Sequence, residues 1–167
     1  GDAAAIEPLD GFLAHHRGIY ADLFMGKKTV MDCVDCHNPH ATTKYAQGFG
    51  AAVTCESCHF QEEQYKKITD RRHATCIECH MPQLIHVAAG NAEDYRADMR
   101  THSMGINPAA LTTTDRNGVF SRPFLGLDFA CKSCHNEDGR GPELEDEVLQ
   151  SVATGYHDRD QAVSLNR

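Results

Sequence analysis

Four copies of one five-residue word constrain this chain more than anything else in it. Cys33-Val34-Asp35-Cys36-His37, Cys55-Glu56-Ser57-Cys58-His59, Cys76-Ile77-Glu78-Cys79-His80 and Cys131-Lys132-Ser133-Cys134-His135 all read C-x-x-C-H. Between them they use all eight cysteines. Two cysteines three apart share one face of a helical turn, and the next residue brings its ring to the same neighbourhood. This is the attachment pattern of a c-type haem, with thioethers to the two vinyl groups and one imidazole on the iron. Zinc ribbons also pair C-x-x-C units, and exported chains build disulfide frameworks from cysteine. Neither requires a histidine after every second cysteine. Histidine occupies 11 of 167 positions, so four such followers would arise by chance about two times in a hundred thousand. The sequence therefore predicts four covalent haems, held by Cys33, Cys36, Cys55, Cys58, Cys76, Cys79, Cys131 and Cys134, with His37, His59, His80 and His135 as proximal ligands.

Four haems in 167 residues leave about 42 residues for each, too few for an ordinary apolar core beside them. Tryptophan is absent and aromatic residues make up 7%. The expected fold class is mostly α with extensive loop and little β. In that expectation a single domain, residues 1–167, wraps a stack of four haems that serve as its interior. The formal charge of -8 disfavours nucleic acid as a partner. There is no apolar run of eighteen residues to span a membrane. Haem c is attached outside the cytoplasmic membrane, so the chain reads as an exported form whose leader has been removed, extracellular or periplasmic.

Residues 9–24 predict a helix, because Leu9, Phe12, Leu13, His16, Ile19, Tyr20 and Leu23 recur at spacings of three and four. His15 and His16 fall on it. His40 sits three residues past the first proximal histidine, in His37-Asn38-Pro39-His40, too close to reach the far face of its own haem. Residues 60–72 read as a charged helix, with Glu62 and Glu63 four residues before Lys66 and Lys67. His73, three residues before Cys76, is again placed for a haem other than its neighbour's. Residues 92–100 predict a short helix, and Asn117-Gly118 predicts a hairpin within 112–121. Gly141-Pro142-Glu143-Leu144-Glu145 opens a last helix with Leu144, Val148, Leu149, Val152 and Tyr156 as its apolar stripe, ending near His157.

Seven histidines remain for four distal positions. His16, His40, His73 and His102 are the expected distal ligands, with His15, His86 and His157 as further candidates. This supply makes every iron bis-histidine, and leaves the five methionines to pack. A six-coordinate iron has no open position for a substrate, so the expected role is electron transfer, not catalysis. The expected partners are other redox proteins or further copies of the chain.

Residues 73–135 resemble part of cytochrome c nitrite reductase and its multihaem relatives. The shared words are His73…Cys76-Ile77-Glu78-Cys79-His80-Met81-Pro82, Thr101-His102…Gly105-Ile106-Asn107-Pro108 and Phe129-Ala130-Cys131-Lys132-Ser133-Cys134-His135. The resemblance implies a distal-ligand role for His102. That family's catalytic haem hangs on C-x-x-C-K, which this chain does not contain, so reductase activity is not implied. The whole-chain pattern is similar to that of small tetrahaem cytochromes that polymerise into extracellular filaments. That similarity implies a homopolymer in which a histidine such as His40, His15 or His16 ligates a haem of the next subunit. A soluble periplasmic shuttle and a small nitrite or hydroxylamine reductase are the competing expectations.

Overall fold

In a computed structural model of the chain, residues 8–9, 12–13, 19–25, 28–41, 53–62, 74–91, 93–114 and 122–157 are described. Two compact units emerge: Gly1–Lys28 with Ala74–Thr154, and Thr29–His73 with Gly155–Arg167. Attachment sites three and four belong to the first unit, sites one and two to the second.

The first unit is built on a sheet. Strands β1 (Pro8–Leu9), β2 (Phe12–Leu13), β3 (Gln83–Asn91) and β4 (Arg96–Arg100) lie in that spatial order. β1 and β2 are antiparallel, with Leu9 opposite Phe12. β2 runs parallel to β3 through Leu13 and Ile85, and β3 is antiparallel to β4, with Gln83 opposite Arg100 and Asn91 opposite Arg96. Leu84 and Ile85 are each buried, where the β3–β4 register shifts between Gln83 and Ile85. Ala97 of β4, Leu125 and Phe129 complete the core, with Ile19, Tyr95, Met99 and Ile106 packed against it. Phe129 meets the Tyr95 ring edge-on at 5.9 Å, which fastens the start of site four to the sheet.

Among the described residues the helices with both ends given are short. They are α1 (Ile19–Met25), α2 (Cys33–Cys36), α3 (Cys76–His80) and α4 (Asp146–Ala153), with a 3₁₀ turn at Cys55–Ser57 and a π-helical turn at Asp128–Lys132. The mostly α, haem-wrapping fold expected from the sequence is thus overturned. Among the described residues the longest helix has eight residues, and the longest element is the nine-residue strand β3.

Two local expectations fail with it. Leu9, Phe12 and Leu13 do not join a helix over 9–24, because they pair in short strands, while Ile19–Met25 is helical. Residues 92–100 do not form a helix either. Tyr95 turns the chain with a φ of 50°, and Arg96–Arg100 returns along β3. The last helix exists but is shorter than its signature suggested, and of its apolar stripe Leu149 is buried while Val148 and Val152 are exposed. Residues 60–62 are helical. The rest of the charged segment, and the Asn117-Gly118 turn, lie outside the described residues.

Candidate haem attachment sites

All four attachment words fold into one tight helical turn, for a local reason. The histidine N–H donates to the carbonyl of the first cysteine at 2.8 Å in site one (His37 to Cys33), 2.9 Å in site two (His59 to Cys55) and 3.0 Å in site four (His135 to Cys131). In site three the whole word is α3.

Short turns nucleate poorly, and two of these, sites one and three, carry a capping box at the residues that frame the cysteines, while in site two the framing hydroxyls only meet each other. Asp32 accepts from the Cys33 N–H at 2.6 Å, while Asp35 accepts from the Asp32 N–H at 2.7 Å. Glu78 accepts from the Thr75 N–H at 2.6 Å and from the Thr75 hydroxyl at 2.8 Å. Thr54 and Ser57 bridge through their hydroxyls at 3.2 Å. The pattern is a capping box laid over the attachment word, a signal present in the sequence but missed in reading it. In site four the buried Asp128 does the equivalent work. It accepts from the Thr113 N–H at 2.8 Å, the Thr113 hydroxyl at 2.6 Å and the Phe129 N–H at 2.8 Å. Burial raises its carboxyl above the usual range, against those hydrogen bonds.

The proximal histidines are oriented from behind. His80 Nδ1 lies 2.7 Å from the Met104 carbonyl, and His135 Nδ1 lies 2.8 Å from the Pro142 carbonyl. A carbonyl oxygen only accepts, so in both rings Nδ1 is the donor. That is the arrangement a metal-ligating imidazole requires. His59 Nδ1 faces the Glu62 carboxylate at 3.6 Å. The Glu62 carboxyl is held below its ordinary range first by its own backbone N–H and then by His59, against desolvation.

Around His135 the backbone itself forms the cradle. The Gly141 N–H donates to the Cys134 carbonyl at 2.8 Å. A Cβ at Gly141 would stand 2.9 Å from His135 Cε1, and one at Gly139 would stand 2.2 Å from the Cys134 carbonyl oxygen.

Sites three and four are neighbours. Helix α3 packs against the π-helical turn. The Arg140 guanidinium donates to Glu78 and, through Nε, to Cys134 Sγ at 3.3 Å. The Thr75 backbone N–H first, then the Thr75 hydroxyl and Arg140, hold Glu78 down to about 2. Strand β4 ties both turns. Arg100 donates to the Ile77 carbonyl at 3.1 Å and the Met81 carbonyl at 2.8 Å, and Arg96 donates to the Ser133 carbonyl at 3.2 Å. A cavity of about 490 Å³ opens here, with Arg96, Arg100, Arg140, Glu78 and Cys134 among its lining residues. Burial, and then the neighbouring Cys79, Cys134 and Asp128, push the Cys131 thiol up to about 12.

The arrangement fits haem c. No disulfide joins any of the eight cysteines. Among the described residues no three of His, Cys, Asp and Glu gather into a cage of their own. A porphyrin needs no such cage, since it brings four nitrogen donors of its own and asks the chain only for axial ligands.

Of the expected distal ligands, His102 is placed in the first unit, half-buried, beside site three. His40 is exposed in a turn where its N–H donates to Asn38 Oδ1 at 2.9 Å. His157 stands four residues beyond the end of α4, edge-on to Tyr156 at 5.1 Å. His86 lies on β3, but its side chain, like the residues His15, His16 and His73, lies outside what is described. Among the described residues no helix is long and apolar enough to cross a membrane. Comparison with family models, with curated proteins and with solved structures finds no match.

Proposed function

We propose that this chain is an electron-transfer protein carrying four covalent c-type haems, each iron closed by imidazole on both faces. One observation carries the reading. At His80 and His135, directly after a C-x-x-C turn, a backbone carbonyl accepts from Nδ1, the hydrogen bond that orients a ring whose other nitrogen ligates a metal. When bound, haem supplies an iron that cycles between ferric and ferrous states by one electron. The chain's residues fix the ring tautomers, hold the thioether cysteines in register and keep the ligand set unchanged between the two states. Small reorganisation follows, as electron transfer requires.

The test is haem stoichiometry with spin state. Intact mass and the pyridine haemochrome spectrum should give four haems per chain. Optical and EPR spectra should show low-spin iron that takes up no carbon monoxide. A five-coordinate iron that binds carbon monoxide would favour the reductase reading instead.

The surroundings we propose are extracellular or periplasmic. The exposed His40 turn favours assembly of copies into a filament, with that imidazole offered to a neighbouring subunit. Electron microscopy decides between filament and shuttle: discrete particles at every concentration would remove the filament.

A further inference from the structure

The carboxylate that opens the site four turn is buried, an uncommon choice for a cap. Asp128 heads the π-helical turn Asp128–Lys132, three residues before Cys131, and is 7% exposed. The Thr113 N–H reaches its Oδ2 at 2.8 Å, while the Thr113 hydroxyl and the Phe129 N–H reach Oδ1 at 2.6 and 2.8 Å. The Gly126 N–H donates to Thr113 Oγ1 at 2.9 Å, which turns that hydroxyl's hydrogen toward the carboxylate. Charge at such depth is costly unless a cation offsets it. Lys132, on the same turn, is bound to Asp146 of α4, and Asp128 acts on it only after Asp146 and Tyr95. Arg122, whose backbone N–H meets the Thr113 carbonyl, turns its guanidinium to the Thr114 carbonyl at 2.9 Å. Burial therefore outweighs the hydrogen bonds and raises the Asp128 carboxyl above its usual range.

The field of Asp128 reaches the attachment point itself. Burial, Cys79 and Cys134 push the Cys131 thiol up, and Asp128 adds to them. Carboxylates at the other turns are placed differently. Asp32 and Asp35 of site one are exposed, Glu56 of site two is half-buried, and Glu78 of site three is paired with Arg140. Among the described residues only Asp22 is a carboxylate buried to a comparable degree, and at 1% exposure it is shut from water. The 7% left to Asp128 gives a proton a way in.

Reduction adds one negative charge at a haem, and a like charge nearby disfavours the ionised form of a carboxyl. A carboxylate one turn from the attachment cysteine, without a cation of its own, feels that change most.

We infer that Asp128 is a proton-binding site linked to reduction of the haem attached at Cys131 and Cys134. One electron passes from a redox partner to the iron, and one proton passes from water to Asp128 Oδ2, since Oδ1 already takes two hydrogens. Reoxidation releases both. The proton is held in the reduced state, so the potential of this centre falls as pH rises, in a window above the ordinary carboxylate range. This rests on the four-haem reading above, and it adds proton traffic to what the chain carries.

The test is spectroelectrochemistry of the full, haem-loaded chain across a pH series, with infrared difference spectra of the same sample. The centre raised in H135M, or missing in C131A/C134A, marks site four. In D128N that centre should lie higher and lose its pH dependence in the window, while the other three keep theirs. On reduction the unaltered chain should gain a protonated-carboxyl band that D128N lacks. If D128N does not fold, T113V serves instead. It keeps the carboxylate but removes a hydrogen bond to its charged form, so the window should move to higher pH. A site four centre whose pH profile is unchanged in the variant would overturn the inference, even if its potential shifts, because a cap alone does that. A change at a different centre would overturn it too. Failure of the four-haem reading itself would look different, because the unaltered chain would carry the wrong haem count by mass.

Discussion

His135 shows how closely single residues are specified. Its ring is held by the Pro142 carbonyl, and the loop that presents that carbonyl passes so near that only glycine fits at 139 and 141. Gly141→Ala should push the loop off the imidazole and weaken the Nδ1 contact. We expect a loss of about 1–3 kcal/mol in a denaturant titration, with a shifted potential at one haem; an unchanged potential would mean the carbonyl does not tune that iron. Asp22 is a second such residue. Removing its carboxylate orphans the Thr101 hydroxyl and the His102 N–H, at a cost of about 1–3 kcal/mol each for buried groups left without an acceptor. Asp22→Ala should therefore lower stability and broaden the low-spin signal, whereas Asp22→Asn, which keeps an acceptor oxygen, should do less. The helical turn at each C-x-x-C-H word was legible in the sequence because the word is local, five residues long. Asp22 was not, because its partner is 79 residues away.

At the scale of elements, β4 does what a helix was expected to do. Its two arginines, four residues apart, cap the carbonyls that end the site three and site four turns, where a cation also meets the negative end of the turn dipole. Arg100→Ala should cost about 1.5–3 kcal/mol, the range for hydrogen bonds to a charged group, and should loosen site three more than site four when their spectra are followed separately through a thermal melt. The sequence of 92–100 looks helical because glutamate, aspartate, arginine, alanine and methionine are common in helices. Pairing with β3 overrides that preference, and β3 owes its place to the buried Leu84 and Ile85. Leu9, Phe12 and Leu13 misled in the same way, since a few apolar residues at helical spacing also suit short strands at a sheet edge.

Glu78 couples the neighbouring turns, and its sign with pH is defined. Its folded value, about 2, lies below the ordinary 4.5. The stability it contributes is complete above about 4.5 and fades as pH falls toward about 2. Because the pair with Arg140 is partly exposed, it amounts to less than about 1 kcal/mol. Glu78→Gln should flatten the acid limb of the stability curve in that window, and an identical limb in both proteins would show that the pair does not contribute.

Across the whole molecule, two compact units carry two attachment turns each. The chain is acidic, at -8, before any propionate is counted, so association with an electron-transfer partner should favour basic surfaces and weaken as salt rises. The account depends on four haems whose irons are all closed by histidine. Its most direct test is one preparation of the full chain, weighed by intact mass and then read by EPR. Four haems with only low-spin signals is the predicted result, and fewer than four haems, or any high-spin iron in the unaltered protein, would contradict it.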